Sequence, residues 1–117
     1  MSGSEALNQT QFGDYSLEYA RPDMYIPRHR IVASQGGQRA GEMTWHPKTH
    51  AITGINVEEE HRRQGLATAM WQMGQNLRPK PVHSADRTRA GEAWAKSVGG
   101  RLPRRKAVYD PVTQREV

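Results

Sequence analysis

Alternating apolar and polar side chains predict four β-strands in the first half of the chain. The alternation covers Tyr15–Ala20 and residues 28–34, as expected for strands that bury one face. Glycine-rich residues 35–38 predict a hairpin turn into a partner strand over residues 39–46. Residues 50–57 alternate most regularly and are rich in β-branched side chains. The last three of these strands therefore predict an antiparallel meander.

The period of the apolar positions changes from two to about 3.6 residues in the second half of the chain. An amphipathic helix is predicted over residues 65–76, with its apolar stripe at Leu66, Ala69, Met70 and Met73. A short strand over residues 82–85 and a second helix over residues 88–98 follow. This order predicts the fold class α/β (α+β), with an antiparallel β-meander followed by β-α-β-α.

Length and composition limit the number of domains and the kinds of site that the chain can contain. Its 117 residues suit one domain. Residues 1–14 are small and polar without a period, so we expect a flexible N-terminal arm before a single domain over residues 15–117 with a basic C-terminal tail. The lack of cysteine excludes disulfides, thiolate–zinc sites and cysteine nucleophiles, and no metal site is predicted. We expect a cytoplasmic protein without a membrane partner, because no apolar run approaches the roughly 18 residues of a membrane span.

Charge is distributed unevenly along the chain. Residues 1–60 carry five Lys or Arg and eight Asp or Glu, a net charge of −3, whereas residues 61–117 carry twelve and four, a net charge of +8. A basic half attracts nucleic acid or the phosphates of a nucleotide cofactor, but it is also typical of a solvated cationic surface. Nucleic acid is not favoured as a partner, because no basic surface with interleaved aromatic residues is visible.

The junction between the most regular strand and the first helix carries the clearest candidate chemistry. Free N–H groups at a helix N-terminus, with the helix dipole behind them, attract anions. Gly65 allows the backbone to approach a phosphate closely. His61, Arg62 and Arg63 surround the turn with positive or ionisable groups. We expect a pyrophosphate site here; the alternative is an ordinary strand-to-helix turn with charged loop residues.

This junction resembles the acyl-CoA-binding motif of the GNAT-type N-acetyltransferase superfamily. That motif reads Arg/Gln-x-x-Gly-x-Gly/Ala, and it is matched by Arg62-Arg63-Gln64-Gly65-Leu66-Ala67. Val57 lies at the usual distance before it, and the resemblance covers residues 28–102. It implies a GNAT-like fold with a splayed central sheet. It also implies direct transfer of an acetyl group from acetyl-CoA to an amine acceptor, either a protein or peptide or a small molecule.

The resemblance implies which residues contact CoA. The main-chain N–H groups of the turn would hold the pyrophosphate, and the preceding strand would pair with the pantetheine arm. The implied cofactor-binding residues are Ile55, Asn56, Val57, Arg62, Arg63, Gln64, Gly65, Leu66, Ala67 and Thr68. We also expect Arg87 or Arg89 to contact the CoA 3′-phosphate, because cations at a helix start oppose the dipole and are tolerated more readily beside an anion.

The chain departs from the family pattern where proton transfer is expected. Ala95 stands where many members have a tyrosine that acts as general acid, and Ala51 stands near the place of a common glutamate base. Histidine is suited to base work at neutral pH. The substitute catalytic residues that we predict are Ser84, His83 and His50, with His46 and Tyr109 as further candidates.

Three functions follow from these observations. The first is an acetyl-CoA-dependent N-acetyltransferase. The second is a catalytically degenerate GNAT-like domain that acts as a CoA-binding or protein-interaction module, which the missing tyrosine and glutamate favour. The third is a small nucleic-acid-binding protein that uses the basic tail residues Arg101, Arg104, Arg105 and Lys106 on phosphates.

Overall fold

Five antiparallel strands form the sheet in the computed structural model, which describes residues 8–117. The strands follow the sheet in chain order, so each is a neighbour of the next. Their bounds are β1 Gln9–Phe12, β2 Tyr15–Ala20, β3 His29–Gln35, β4 Gln38–Trp45 and β5 Ile52–Val57. Two helices, α1 Leu66–Gln75 and α2 Arg89–Val98, follow the sheet. The predicted α+β class is confirmed.

The predicted strands from β2 to β5 agree with the structure to within two residues. The largest difference is at the start of β5, which was predicted at residue 50 and begins at Ile52. A tight turn before Ile52 explains why the strand starts two residues later than predicted. The His46 N–H donates to the Ala51 carbonyl at 3.0 Å, and His50 takes a positive φ of 65°. A side chain in that backbone region does not continue a strand.

The strand β1 lies in the segment that was predicted to be a flexible arm. It pairs with β2 from Gln9 opposite Glu18 to Phe12 opposite Tyr15. All four of its residues are exposed, so no amphipathic pattern marks the strand in the sequence. Main-chain pairing holds it instead, with a Gln9–Glu18 side-chain bond of 2.6 Å. The part of the arm prediction that concerns residues 1–7 lies outside the described residues.

The helix α1 covers one face of this sheet and supplies five of the buried apolar residues. The predicted apolar stripe is confirmed, since Leu66, Ala69, Met70 and Met73 are all buried. Trp71, on the same helix, is 6% exposed and joins this core. The sheet contributes fully buried side chains from three successive strands: Leu17, Ile31, Ala33, Met43 and Trp45. Burial of these apolar faces provides the main driving force for folding of the unit.

The contacts divide the chain into two compact units, the first ending at Pro81 and the second running over Val82–Val117. In the second unit, the Thr88 hydroxyl accepts a hydrogen bond from the Gly91 N–H at 3.0 Å and caps α2. Gly99 and Gly100 follow the helix with positive φ, a conformation that glycine adopts readily after the C-terminus of a helix. The prediction of one domain over residues 15–117 stays a prediction.

The short strand predicted over residues 82–85 is not one of the strands of the described sheet. Its main-chain acceptors are engaged within the second unit instead. The Ala85 carbonyl accepts from the Lys106 N–H at 2.7 Å, and the Ser84 carbonyl accepts from the Arg87 guanidinium at 2.6 Å. An isolated parallel bridge then joins Asp86 to Lys106. Val82 and Asp86 take part in isolated bridges, but the β-α-β step expected after the meander contains no regular strand here.

Neither described helix is long and apolar enough to cross a membrane. Each has 10 residues, about half of what a span requires.

Candidate functional site

The edge of β5 that faces away from β4 is the first component of the candidate site. β5 is the last strand of the described sheet. Beyond its end, the Glu58 N–H donates to the Ala40 carbonyl at 2.8 Å, which places this pair in a hydrogen-bonded position. Because such positions alternate along an antiparallel ladder, Ile55 and Val57 direct their main-chain N–H and C=O groups away from β4. The edge thus presents donors and acceptors in the spacing of a strand.

The turn between β5 and α1 is the second component. It begins with the short 3-10 helix Glu59–His61 and contains two residues with positive φ, Arg63 at 64° and Gly65 at 76°. Arg62 is tied back to the end of β5, since its Nε donates to the Val57 carbonyl at 3.0 Å. The turn thereby reverses the chain sharply and stays attached to the strand edge.

The start of α1 is the third component. Gly65 is the N-cap residue, and no side chain caps the helix there. The first turn of α1 contains no acidic residue, so nothing in it offsets the positive end of the helix dipole. Residues 62–65 are exposed, whereas Leu66 is 2% exposed and anchors the helix in the core. This accessible, cation-flanked helix start can bind an anion.

Close packing behind the turn depends on Gly41 in β4. A Cβ built at this position would lie 2.9 Å from the main-chain oxygen of Asn56 and 3.5 Å from Cδ2 of Leu66. Only a residue without a side chain allows β4, β5 and the first residue of α1 to approach so closely. Gly41 therefore positions the strand edge and the helix start together.

The β1–β2 hairpin supports the turn from the other side. The Tyr15 hydroxyl and His61 Nδ1 are 2.9 Å apart, and the two rings meet edge to face with centroids separated by 5.5 Å. The ring of Phe12 reaches Gly65, since Cζ would be 3.6 Å from a Cβ built there. The sequence analysis missed this support. Two aromatic residues flanking the glycine turn at position 13 were the available signal.

A comparison with known families covers the segment that contains these components. The model of the acetyltransferase (GNAT) family matches residues 5–76. This match covers more than half of the chain and includes β5, the turn and α1. The chain belongs to the GNAT acetyltransferase family. No curated protein and no solved structure matches the chain significantly.

Membership of the GNAT family gives the chain an acetyltransferase-type function in general terms, and members of the family typically use acetyl-CoA. The match ends within one residue of the end of α1. The predicted contacts from Ile55 to Thr68 all lie inside it, in the edge, turn and helix start described above. The predicted residues His83, Ser84 and Arg87 lie outside it, in the second unit.

His83 and Ser84 both have structural partners in this GNAT protein. His83 is buried, and its Nε2 lies 2.7 Å from the carbonyl oxygen of Gly99. Because a carbonyl oxygen only accepts, Nε2 carries the proton in this contact. The Ser84 hydroxyl accepts from the Asp86 N–H at 3.1 Å. Both residues therefore organise the backbone around α2, and their catalytic roles stay predictions.

His50 and His46 lie together in the turn between β4 and β5. His46 Nδ1 accepts from the N–H groups of Lys48 and Thr49 at 3.0 and 3.2 Å, so His46 stabilises the turn. His50 is partly buried and donates its own N–H to the His46 carbonyl at 2.9 Å. The catalytic role of His50 stays a prediction.

Arg87 is the most extensively bonded arginine of the second unit. It is 7% exposed, and its guanidinium donates to Glu92 Oε1, to the Ser84 carbonyl and to the Pro103 carbonyl at 2.6–3.2 Å. The predicted contact with the CoA 3′-phosphate stays a prediction, and it would require some of these bonds to break. The alternative contact, Arg89, is exposed and pairs with Glu116 at 2.9 Å.

The basic tail is partly neutralised within the second unit. Arg105 forms an ion pair with Glu116 at 2.7 Å and donates from Nε to the Arg87 carbonyl at 3.0 Å. Hydrogen bonds from Arg89 and then from Arg105 hold the pKa of the Glu116 carboxyl below its usual value. Arg105 is thus used in the fold of this unit, which weakens the case for a tail devoted to nucleic-acid phosphates.

A buried histidine that the sequence analysis did not select lies on the face of the sheet covered by α1. His29 packs against both Tyr19 and Trp45, with ring centroids at 5.9 and 5.3 Å, and the Tyr19 and Trp45 rings are themselves 5.9 Å apart. The Tyr19 hydroxyl is 2.7 Å from His29 Nδ1. Burial first, and then the charge of His50, lower the pKa of His29. His29 is therefore held in its neutral form near pH 7.

Proposed function

We propose that this GNAT protein is an acetyl-CoA-dependent N-acetyltransferase. The observation that carries the proposal is the continuity of two surfaces. The outward-facing main chain of Ile55 and Val57 leads directly, through the turn held by Arg62, to the uncapped start of α1 at Gly65. One surface suits an extended amide-containing chain, and the other suits a pyrophosphate.

The residues present fit CoA in both parts. The amide groups of the pantetheine arm would pair with the β5 edge as a further strand does. The pyrophosphate would accept hydrogen bonds from N–H groups at the start of α1, with Arg62 and Arg63 supplying opposite charge. Bound acetyl-CoA supplies the activated acetyl group, which passes to an amine nitrogen with release of the CoA thiol. The protein's part is to bind, orient and polarise the thioester.

An open acceptor side favours a protein or peptide as the source of the amine. Residues 21–28, which join β2 to β3, form turns and bends without a helix. Met24 and Tyr25 in this segment are each 86% exposed. A side chain carried on a large molecule can approach a site past a non-helical segment of this kind, so we expect lysine side chains or N-terminal amines as acceptors.

Calorimetry with acetyl-CoA tests the first half of the proposal. We expect the wild-type chain to bind and the variants Arg62→Ala and Gly65→Glu to bind much more weakly, because one removes a cation and the other places a carboxylate at the helix start. Arg28→Ala, at an exposed arginine outside the turn, serves as the matched control and should bind as the wild type does. A wild-type chain that does not bind acetyl-CoA would contradict the proposal.

Thiol release tests the second half. Incubation with acetyl-CoA and a panel of amines and lysine peptides should release CoA thiol only when an acceptor is present. Mass spectrometry should show one added acetyl group on the acceptor nitrogen.

A second candidate function is a CoA-binding module without transfer activity. Ala95 is fully buried and carries no hydroxyl, and Ala51 carries no carboxylate. His83 and Ser84, the predicted substitutes in the second unit, are engaged in local hydrogen bonds. Tight acetyl-CoA binding with no thiol release across the whole acceptor panel would support this function over the transferase.

A further inference from the structure

A groove lies beside the turn, on the side of the β1–β2 hairpin. It is open to solvent and has a volume of about 600 Å³. The hairpin, the end of β3 and the turn between β5 and α1 line it, with side chains that include Phe12, Asp14, Tyr15, Gln35, His61 and Gln64. The groove therefore shares its wall with the turn that the proposed function assigns to the CoA pyrophosphate.

The hairpin fixes the aromatic ring of Phe12 beside this groove. Phe12 is 37% exposed, and its ring is stacked on Tyr15 with centroids 6.5 Å apart and planes at 23°. Tyr15 is itself fixed by the 2.9 Å hydrogen bond to His61. Phe12 also reaches Gly65, so the ring lies next to the helix start. An exposed aromatic face of this kind binds a planar base by stacking.

The formally charged side chains that line the groove are carboxylates. Asp14 and Glu60, with the amides of Gln35 and Gln64, line it, whereas Arg62 and Arg63 follow Glu60 in the turn and are not among the lining residues. Carboxylates repel phosphate but accept hydrogen bonds from an amino group, and amides pair with both donors and acceptors. The groove therefore fits an uncharged heterocyclic base that carries an amino group, with its phosphates directed toward the turn.

We propose that this groove binds the adenine ring of CoA, with Phe12 as the stacking platform. The inference rests on the proposed function, because it takes the turn as the pyrophosphate site. It assigns a ligand-binding role to the β1–β2 hairpin, which lies away from the β5 edge where the pantetheine arm is proposed to pair.

Calorimetry with two ligands on matched variants tests the inference. Phe12→Leu keeps an apolar side chain against Gly65 and removes the aromatic face, whereas Phe12→Tyr keeps the face. We expect Phe12→Leu to raise the Kd for CoA about tenfold, the usual order for loss of one base stack. Phe12→Tyr should bind as the wild type does. The Kd for 4′-phosphopantetheine, which has no adenosine, should be equal in all three proteins.

Further variants show whether weaker CoA binding results from the changed groove or from a folding defect. Thr10→Ala changes an exposed residue of the same strand outside the groove and should leave both Kd values unchanged. Gln35→Glu changes the groove without altering the hairpin, and the added carboxylate should weaken CoA binding several-fold by removing the amide donor. Thermal unfolding of each variant shows whether it is folded.

The outcomes separate this inference from the proposed function. If the wild type does not bind CoA, the proposed function fails and the inference fails with it. If the wild type binds CoA and Phe12→Leu binds it equally well, the inference alone is overturned. Equal weakening of CoA and 4′-phosphopantetheine would also overturn it, because the effect would then lie in the turn. A raised KM for the amine acceptor with unchanged CoA affinity would assign the groove to the acceptor instead.

Discussion

The side chain of Arg62 bonds to the strand that precedes it: its Nε donates to the main-chain carbonyl of Val57 at 3.0 Å. Val57 directs this carbonyl away from β4, so the bond satisfies an acceptor at the open edge of the sheet. The same bond fixes the stem of the guanidinium and leaves its two terminal nitrogens outside that contact. Arg62 thus joins the strand edge and the turn, which are the two surfaces proposed to bind CoA.

Two substitutions at Arg62 should distinguish how its charge and its hydrogen-bond geometry each contribute to CoA affinity. We expect Arg62→Ala to raise the Kd for CoA about tenfold, the order of a lost hydrogen bond to a charged group. Arg62→Lys should lie between this variant and the wild type, because lysine keeps the charge but lacks the planar fork. Calorimetry at two salt concentrations measures both effects. Equal binding by Arg62→Ala and the wild type would remove Arg62 from the site.

Adding a methyl group at Gly41 should destabilise the first unit. The new Cβ would lie 2.9 Å from the Asn56 oxygen, so β4 and β5 would have to separate. We expect Gly41→Ala to lower the free energy of unfolding by about 1–3 kcal/mol, the usual range for overpacking. Urea denaturation measures it. Gly54→Ala is the matched control on the neighbouring strand, because its Cβ would be 3.4 Å from the Thr44 hydroxyl and should be accommodated.

His29 should make the stability of the fold depend on pH. Burial lowers the pKa of His29 in the folded chain, so the unfolded chain binds a proton more readily. The stabilisation is present above the unfolded pKa of about 6.5 and is lost as the pH falls through that value toward the folded pKa. Chemical denaturation at several pH values from about 7.5 down to about 5 should show that the free energy of unfolding of the wild type decreases as the pH falls.

The control for this pH effect is His29→Phe, which keeps a ring packed against Tyr19 and Trp45 but cannot bind a proton. Its stability should depend less on pH in the same range. An identical slope in the two proteins would show that other groups cause the effect.

Removing Arg87 should destabilise the second unit. Arg87→Ala leaves the buried carbonyls of Ser84 and Pro103 and the Glu92 carboxylate without their donor. We expect a loss of about 2–4 kcal/mol, as for other broken buried charge networks, seen as a lower thermal midpoint. Arg89→Ala, at a side chain that is 71% exposed, should leave the midpoint near that of the wild type.

The same pair of variants tests the predicted contact with the CoA 3′-phosphate. If Arg87→Ala weakens CoA binding and leaves the thermal midpoint unchanged, the phosphate contact is right and the structural role is wrong. Weaker CoA binding by Arg89→Ala alone would assign the phosphate to Arg89.

The strands β2 to β5 and both helices could be predicted because their apolar side chains repeat with a local period. Tyr15–Ala20 was predicted at its observed bounds, and the stripe from Leu66 to Met73 was predicted as the buried face of α1. β1 could not be predicted in this way, because its four residues are all exposed and pairing with β2, rather than a buried apolar face, holds them. Residues 82–85 have a strand-like composition, but their acceptors bond to nearby groups of the second unit.

The candidate site likewise has one part that the local sequence predicts and another that it does not. The motif from Arg62 to Ala67 identifies the turn, because glycine at a positive φ and cations beside a helix start are properties of neighbouring residues. The hydrogen bond from Tyr15 to His61 joins residues far apart in the chain. No local pattern contains it, and the same holds for the burial of His29 against Tyr19 and Trp45.

The sequence by itself thus determined the α+β class, the order of the main elements and the position of the turn proposed to bind an anion, since each depends on residues within a few positions of one another. Only the tertiary structure decided which edge of β5 faces outward, which aromatic ring reaches Gly65, and whether Arg87 and His83 have internal partners. The physical reason is that register, burial and the pairing of polar groups depend on distant residues, which folding alone brings together.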